Sequence, residues 1–216
     1  MTDQFERLEK LRICMDRAEL LQKGGQFAQA AEQLEEVIRL SPDCSPARKQ
    51  LALVHLENDD LYHMALALLT WQKEDSSTYP EDFASKHHMF ATGLTREGLD
   101  LKIKTGNEER ARAYYLLALQ MDAEHSEALY NLGDSLHDSG RPKEAKSVFE
   151  KLVRLRPTYA DAWNTLGIIK EDLSDLEGAV ECYEKAVESD PALERAQKNL
   201  RRAEAKWLYG GDDDDD

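Results

Sequence analysis

The sequence predicts an all-α chain built as a solenoid of antiparallel helix pairs. Three observations carry this. Residues recur at a fixed interval of 34, apolar and small residues within each interval fall at helical spacing, and proline or glycine punctuates the ends. A shift of 34 superposes Leu132 on Leu166, Gly133 on Gly167, Ala145 on Ala179, Phe149 on Tyr183 and Pro157 on Pro191. A period in that range identifies stacked supersecondary units, because one pair alone leaves its apolar face in water.

The elements follow in chain order. Near the amino terminus Gly25, Ala30, Leu34, Val37 and Pro42 repeat the internal spacing of Gly140, Ala145, Phe149, Leu152 and Pro157, which predicts a first unit near residues 11–44. A second unit near 45–78 pairs Pro46 to Glu57 with Leu61 to Lys73 across Asn58-Asp59-Asp60, with a blurred small-residue pattern. The next unit starts near Thr92, which is 47 residues after Ser45 rather than 34, so an insertion is expected near 75–91. Within it, Thr78-Tyr79-Pro80-Glu81-Asp82 has the form of a helix start, followed by Phe83, His87 and Phe90 on one face. An additional or lengthened helix is expected there. Gly93 and Gly98 would each cost about 1 kcal/mol inside a helix, so a break near Ala91 to Gly93 and a continuous helix are both open. Gly106, Ala111, Tyr115 and Ala118 then mark a third unit near 92–125, followed by units near 126–159 and 160–192.

Pro157 and Pro191 end second helices, since proline disfavours helical geometry in the residue before it. A last helix near 193–209 carries Ala196, Leu200, Ala203 and Trp207 at helical spacing, with Arg195, Lys198, Arg201, Arg202 and Lys206 on its other faces. It reads as a capping helix. Residues 210–216 are Gly-Gly followed by five aspartates, a composition that buries nothing and is expected to be a disordered acidic tail.

Trp163, Leu166, Gly167, Ala179, Tyr183, Ala186 and Pro191 resemble the tetratricopeptide repeat, and the likeness covers most of the chain. Lys170 in place of tyrosine, Leu129 in place of tryptophan and Ala123 in place of the closing proline depart from the pattern. The resemblance implies about five repeats in a right-handed superhelical solenoid. Gly133 and Gly167 are expected to let each first helix lie against the Ala145 or Ala179 face of the second, with Phe149 and Tyr183 filling the space towards the next pair.

Composition narrows the classes of function. A formal charge of -15, about -10 without the five tail aspartates, argues against nucleic acid and anionic membrane as partners, because both need a basic surface. No apolar run approaches the roughly 18 residues that cross a bilayer, and the amino terminus lacks a signal peptide pattern, so a cytoplasmic location is expected. Cys14, Cys44 and Cys182 are odd in number and widely spaced, which predicts reduced thiols. His55, His63, His87, His88, His125 and His137 form no metal-ligand spacing; the adjacent pair His87 and His88 would point about 100 degrees apart on a helix. No phosphate loop, nucleophile elbow or HExxH motif occurs. The expectation is a protein without cofactor, metal or catalytic residues.

The resemblance places function on the inner faces of successive first helices. The lining it implies is Arg96 and Asp100, then Glu127, Tyr130, Asn131, Asp134 and Asp138, then Asp161, Asn164, Ile168 and Asp172. Repeat domains that hold the acidic tails of heat-shock chaperones use basic residues on these faces, whereas here Asp161 and Thr165 stand where a basic pair is expected and Glu19 replaces an asparagine. The partner expected is a protein or peptide of basic character, with Tyr130 available for cation-π contact. The acidic tail is a candidate to fold back on Arg195, Lys198 and Arg202 and compete with ligands. Self-assembly into homo-oligomers, and service as a regulatory part of a larger enzyme, are the alternative classes.

Overall fold

Where a chain repeats a helix pair, each turn must reverse the backbone sharply, and the sequence solves this the same way several times. The helices are α1 (Thr2–Lys23), α2 (Phe27–Leu40), α3 (Ser45–Glu57), α4 (Leu61–Glu74), α5 (Glu81–Ala84), α6 (His87–Thr105), α7 (Glu108–Met121), α8 (Ser126–Asp138), α9 (Pro142–Leu155), α10 (Ala160–Asp172), α11 (Leu176–Ser189) and α12 (Glu194–Tyr209). They come from a computed structural model that describes residues 2–58, 60–74, 76, 79 and 81–209. After α1, α8 and α10 the chain closes with one bond pattern: Gln26 donates to the Leu21 carbonyl, Arg141 to that of Leu136, and Asp175 to that of Lys170, at 2.8–3.0 Å. This is the closure that needs a left-handed residue one position earlier. Gly25 and Gly140 supply it with φ of 71°, and Ser174 supplies it with φ of 62° although it carries a side chain.

Residues 1–209 read as one continuous array from sequence, but two compact units are present. One runs to Arg96 and includes Gln120–Asp122; the other comprises Glu97–Leu119 and the chain from Ala123 on. In the first unit α1 packs on α2, α2 on α3 and α3 on α4, around Ala18, Leu34, Val37, Leu51 and Val54. The insertion forms the short helix α5 and a lengthened α6 of 19 residues, and α6 continues unbroken through Gly93 and Gly98. Phe83 and Phe90 are buried, and His87 meets the Tyr79 hydroxyl at 2.7 Å. Thr78, Pro80, Asp59 and the tail 210–216 lie outside the described residues.

The second unit stacks α8 on α9, α9 on α10, α10 on α11, and α12 on α11. Its centre is a ring beneath a glycine, repeated. A Cβ on Gly133 would lie 2.6 Å from the Phe149 ring, on Gly167 2.5 Å from the Tyr183 ring, and on Gly98 2.7 Å from the Tyr115 ring. Phe149, Tyr183 and Tyr115 are fully buried. The glycines therefore admit an aromatic ring within their own helix pair, a closer role than the alanine face expected of them. This also explains why Gly98 survives inside α6: the propensity lost is about 1 kcal/mol, less than a buried ring returns. Ala196 and Ala203 bury one side of α12 while Arg201 and Lys206 stay exposed, but Trp207, expected on the packed side, is 53% exposed, because it lies at the end of the helix beyond the last buried turn at Ala203.

Two outcomes follow for thermal or denaturant unfolding. Gly167→Ala is expected to destabilise the chain by about 1–2 kcal/mol despite the better helix former, because the ring beneath it is caged. Ser174→Gly is expected to stabilise by about 0.5–1 kcal/mol, since it relieves a left-handed residue and gives back part of the gain as chain entropy.

Candidate functional site

In the second unit, consecutive first helices meet side chain to side chain on one face. The bonds join residues about one repeat apart. Between α8 and α10, the Tyr130 hydroxyl and the Thr165 hydroxyl are 3.4 Å apart and His137 Nε2 is 2.5 Å from Asp172 Oδ2. Between α10 and α12, Asn199 donates to Asn164 at 2.9 Å, Arg195 pairs with Asp161, and Arg202 Nη2 lies 2.5 Å from Glu171 Oε2. Tyr183 also donates to Glu171 from below, at 2.6 Å, so burial and the adjacent carboxylate both hold the phenol proton on.

The most densely charged point lies where α6 faces α8. Lys102 Nζ is 3.1 Å from Glu108, 3.4 Å from Asp134 and 3.3 Å from Asp138. Burial works against the ammonium, but the three carboxylates outweigh it and hold Lys102 above the usual lysine value. Burial likewise works to raise Glu108, and the Ser135 hydroxyl at 2.6 Å together with Lys102 outweighs it, leaving that carboxyl below its ordinary 4.5. Arg112 stands beside them but spends its bonds on the Ser135 and Ser139 hydroxyls. Three carboxylates thus face two cations. Asp172 adds a charge whose partner is a histidine, and Glu127 makes no ion pair among the described residues. The face is acidic along α8.

The residues expected from sequence fare differently. Glu127, Asn131, Asp134, Asp138, Asp161, Asp172, Arg195, Lys198 and Arg202 lie on these first helices, with Asn131 Nδ2 turned back to the Glu127 carbonyl at 2.9 Å. Asn164 is buried and Ile168 packs half-buried against the Tyr183 cluster, so both serve the stack as much as its surface. Tyr130 is held by an edge contact with Phe149 at 5.4 Å and a stack on Tyr159 at 5.6 Å, which leaves less of its ring for a cation than expected. Arg96 belongs to the first unit. Asp100 pairs with Lys104 on its own helix at 3.2 Å. The tail lies outside the described residues, and of its expected landing sites Arg195 and Arg202 are already in ion pairs.

Sequence reasoning missed Lys102, Leu99 and Ile103, and the cause is a register change. Gly98 precedes its ring by 17 residues, whereas Gly133 and Gly167 precede theirs by 16. The extra residue falls between Gly98 and the left-handed Gly106. One residue rotates a helix face by about 100 degrees, so Lys102 rather than Asp100 turns towards α8. Leu99 and Ile103, one turn apart on the same stretch, stay exposed at 37% and 72%. Aligning glycine to ring instead of counting 34 would have found them.

Cys182 is buried, and burial pushes its thiol up to about 11, where the thiolate is scarce. His125 caps α8 by accepting from Ala128, and His55 and His63 stack at 5.5 Å. Among the described residues no group of three or more His, Cys, Asp or Glu is placed to hold a metal ion, and no helix is long and apolar enough to cross a membrane.

Stacked helix pairs whose first helices share one polar face define a helical-repeat protein. A family model described as tetratricopeptide repeat matches residues 15–61 and 99–160, and a second of the same description matches 160–193. The chain belongs to the tetratricopeptide repeat family. It is 29% identical over 93 residues to the heat-shock protein cognate co-chaperone sgt12 of Aspergillus fumigatus, covering 41% of this chain and 27% of that one. It is 22% identical over 213 residues to the human protein O-mannosyl-transferase TMTC3, covering 86% of this chain and 23% of that one. The chain thus spans about a quarter of the length of these curated relatives. Among solved structures, the Sgt2 repeat domain from Aspergillus fumigatus is similar with a TM-score of 0.51 and 25% identity, covering 54% of this chain and 78% of that one. The first repeat domain of Spaghetti (RPAP3), bound to the HSP90 peptide SRMEEVD, has a TM-score of 0.51 and 23% identity, covering 54% of this chain and 92% of that one.

The Lys102 cluster sets a pH dependence. Because Glu108 is held below 4.5 in the fold, its stabilisation is present above that value and is lost as pH falls through the folded value. Lys102→Met is expected to cost about 1–2 kcal/mol at neutral pH, between the exposed and buried limits for a broken pair. Melting curves from pH 7 to pH 3 are expected to show the gap to the natural chain closing as Glu108 takes up its proton.

Proposed function

We propose that this chain is a non-catalytic adaptor that holds a basic segment of another protein against the first-helix face of its second unit. The observation that carries this reading is the surplus of carboxylates where α7 and α8 meet Lys102: Glu108 of α7 with Asp134 and Asp138 of α8 share that ammonium, and Glu127 of α8 makes no ion pair among the described residues. A lysine or arginine side chain arriving there restores charge balance without disturbing the stack. Leu99 and Ile103 beside it offer an apolar contact to a residue flanking that cation. The ion pairs of Arg195 and Arg202 leave the α12 end less acidic, which sets a direction along the face. Similarity to repeat domains that hold peptides supports a polypeptide ligand, and the reading needs no cofactor. A cytoplasmic site of action fits reduced Cys14, Cys44 and Cys182, all of which are free.

The test uses two labelled ten-residue peptides of the same apolar content, one rich in lysine and arginine and the other ending in acidic residues. Fluorescence anisotropy at low salt is expected to give saturable binding of the basic peptide, with affinity falling as salt rises. Asp134→Lys combined with Asp138→Lys is expected to weaken it at least tenfold. Tighter binding of the acidic peptide by the natural chain would reject the basic partner and favour a chaperone-tail ligand.

A further inference from the structure

The first unit contains a trough on a different set of helices. A cavity of about 350 Å³ is walled by Ile38 and Arg39 of α2 and by Leu66, Ala67 and Thr70 of α4, over a floor of Leu51 and His55 from α3. A second cavity of about 230 Å³ continues it past Phe27, Ala28, Ala31 and Glu32. The two share Glu35, His55 and His63, so they are parts of one elongated depression.

The form of the walls says what fits. On α2 the lining positions are 27, 28, 31, 32, 35, 38 and 39, and on α4 they are 63, 66, 67 and 70. Both are stripes that recur at intervals of three and four, spanning roughly 18 Å along α2, or about three helical turns. Alanines at 28, 31 and 67 leave gaps between larger residues, the surface into which the ridge of another helix fits. A helix bonds its own backbone and asks only for apolar contact. Leu66 is 46% exposed, so such contact is available.

The two ends differ in charge. Arg39 and Arg48 line one end; Arg39 is exposed and shares Glu36 with Lys10, while Arg48 is buried and donates to the Pro42 carbonyl, so Arg39 is the cation at the surface there. Glu32 and Asp60 line the other, with no lysine or arginine among the residues there, and Glu35 lies between the two ends. Asp60 is partly occupied by His63 at 2.7 Å.

We propose that this trough receives one amphipathic helix of a partner protein, its apolar stripe against α2, α3 and α4, with acidic residues at the Arg39 end and basic residues at the Glu32 end. The site is separate from the α8 face, so the chain engages two polypeptide segments.

The probe is a capped synthetic helix of about 16 residues, with leucines at i, i+4, i+7 and i+11, lysines at one end and glutamates at the other. Two control helices carry lysines at both ends or glutamates at both ends. Titration into the full chain is expected to show saturable micromolar binding of the mixed helix and at least tenfold weaker binding of both controls. Leu66→Lys and Ala28→Arg, both exposed positions, are expected to abolish that binding while melting temperature stays within a few degrees. Asp134→Lys with Asp138→Lys is expected to leave it unchanged, which separates this site from the one proposed above. The proposal is overturned by absence of saturable binding to about 1 mM, by equal binding of the controls, by binding that survives the trough variants, or by a concentration-dependent dimer that Leu66→Lys dissolves.

Discussion

The contact on which the second unit depends is an aromatic ring lying where a glycine has no side chain. Tyr115 under Gly98, Phe149 under Gly133 and Tyr183 under Gly167 bring each second helix against its first at a distance no larger residue permits. That distance fixes the crossing of the pair. The crossing fixes which residues of the first helix turn outward, and these carry the charge pattern. Packing and recognition are therefore not independent here: the ring is core, and its placement decides the surface.

The electrostatics of that surface are mostly internal. Asp161, Asp134 and Asp138, which sequence presents as ready acceptors for a ligand, are in ion pairs with Arg195 and Lys102. Such pairs span neighbouring first helices and stitch the stack from its polar side while the rings do so from within. What is left for a partner is the excess, concentrated where three carboxylates meet Lys102, and not the sum of acidic residues. A count of charges along the groove overstates its attraction for a basic ligand.

Most of the fold was legible because its causes are local and repeated. Small residues, rings and terminal prolines recur at an interval that no other architecture explains, and α8 to α12 fall where the spacing put them. Ser174 is an instance of a rule read through the wrong residue: the turn position is conserved in geometry with Gly25 and Gly140 although its chemistry differs. The continuous α6 was not legible, because the reason to keep Gly93 and Gly98 in a helix lies in Leu61 and Tyr115, which only packing brings near. The division into two compact units was not legible either, since the period runs across it. At the candidate site the acidic residues of α8 and α10 were visible, as were Arg195 and Arg202 of α12, and Lys102 was hidden by a single added residue in α6.

That added residue bears on how such a chain changes over time. Repeat proteins grow and shrink by copying whole units, and a copy is interchangeable only while its outward positions stay in phase. The pair formed by α6 and α7 keeps the glycine-over-ring packing of those that follow but carries Leu99 and Ile103 where the next pair carries Asp134 and Asp138, so duplicating or transplanting it would present an apolar stripe at the insertion point. Its place in the order is therefore fixed by what it displays, even though its fold would be accepted elsewhere.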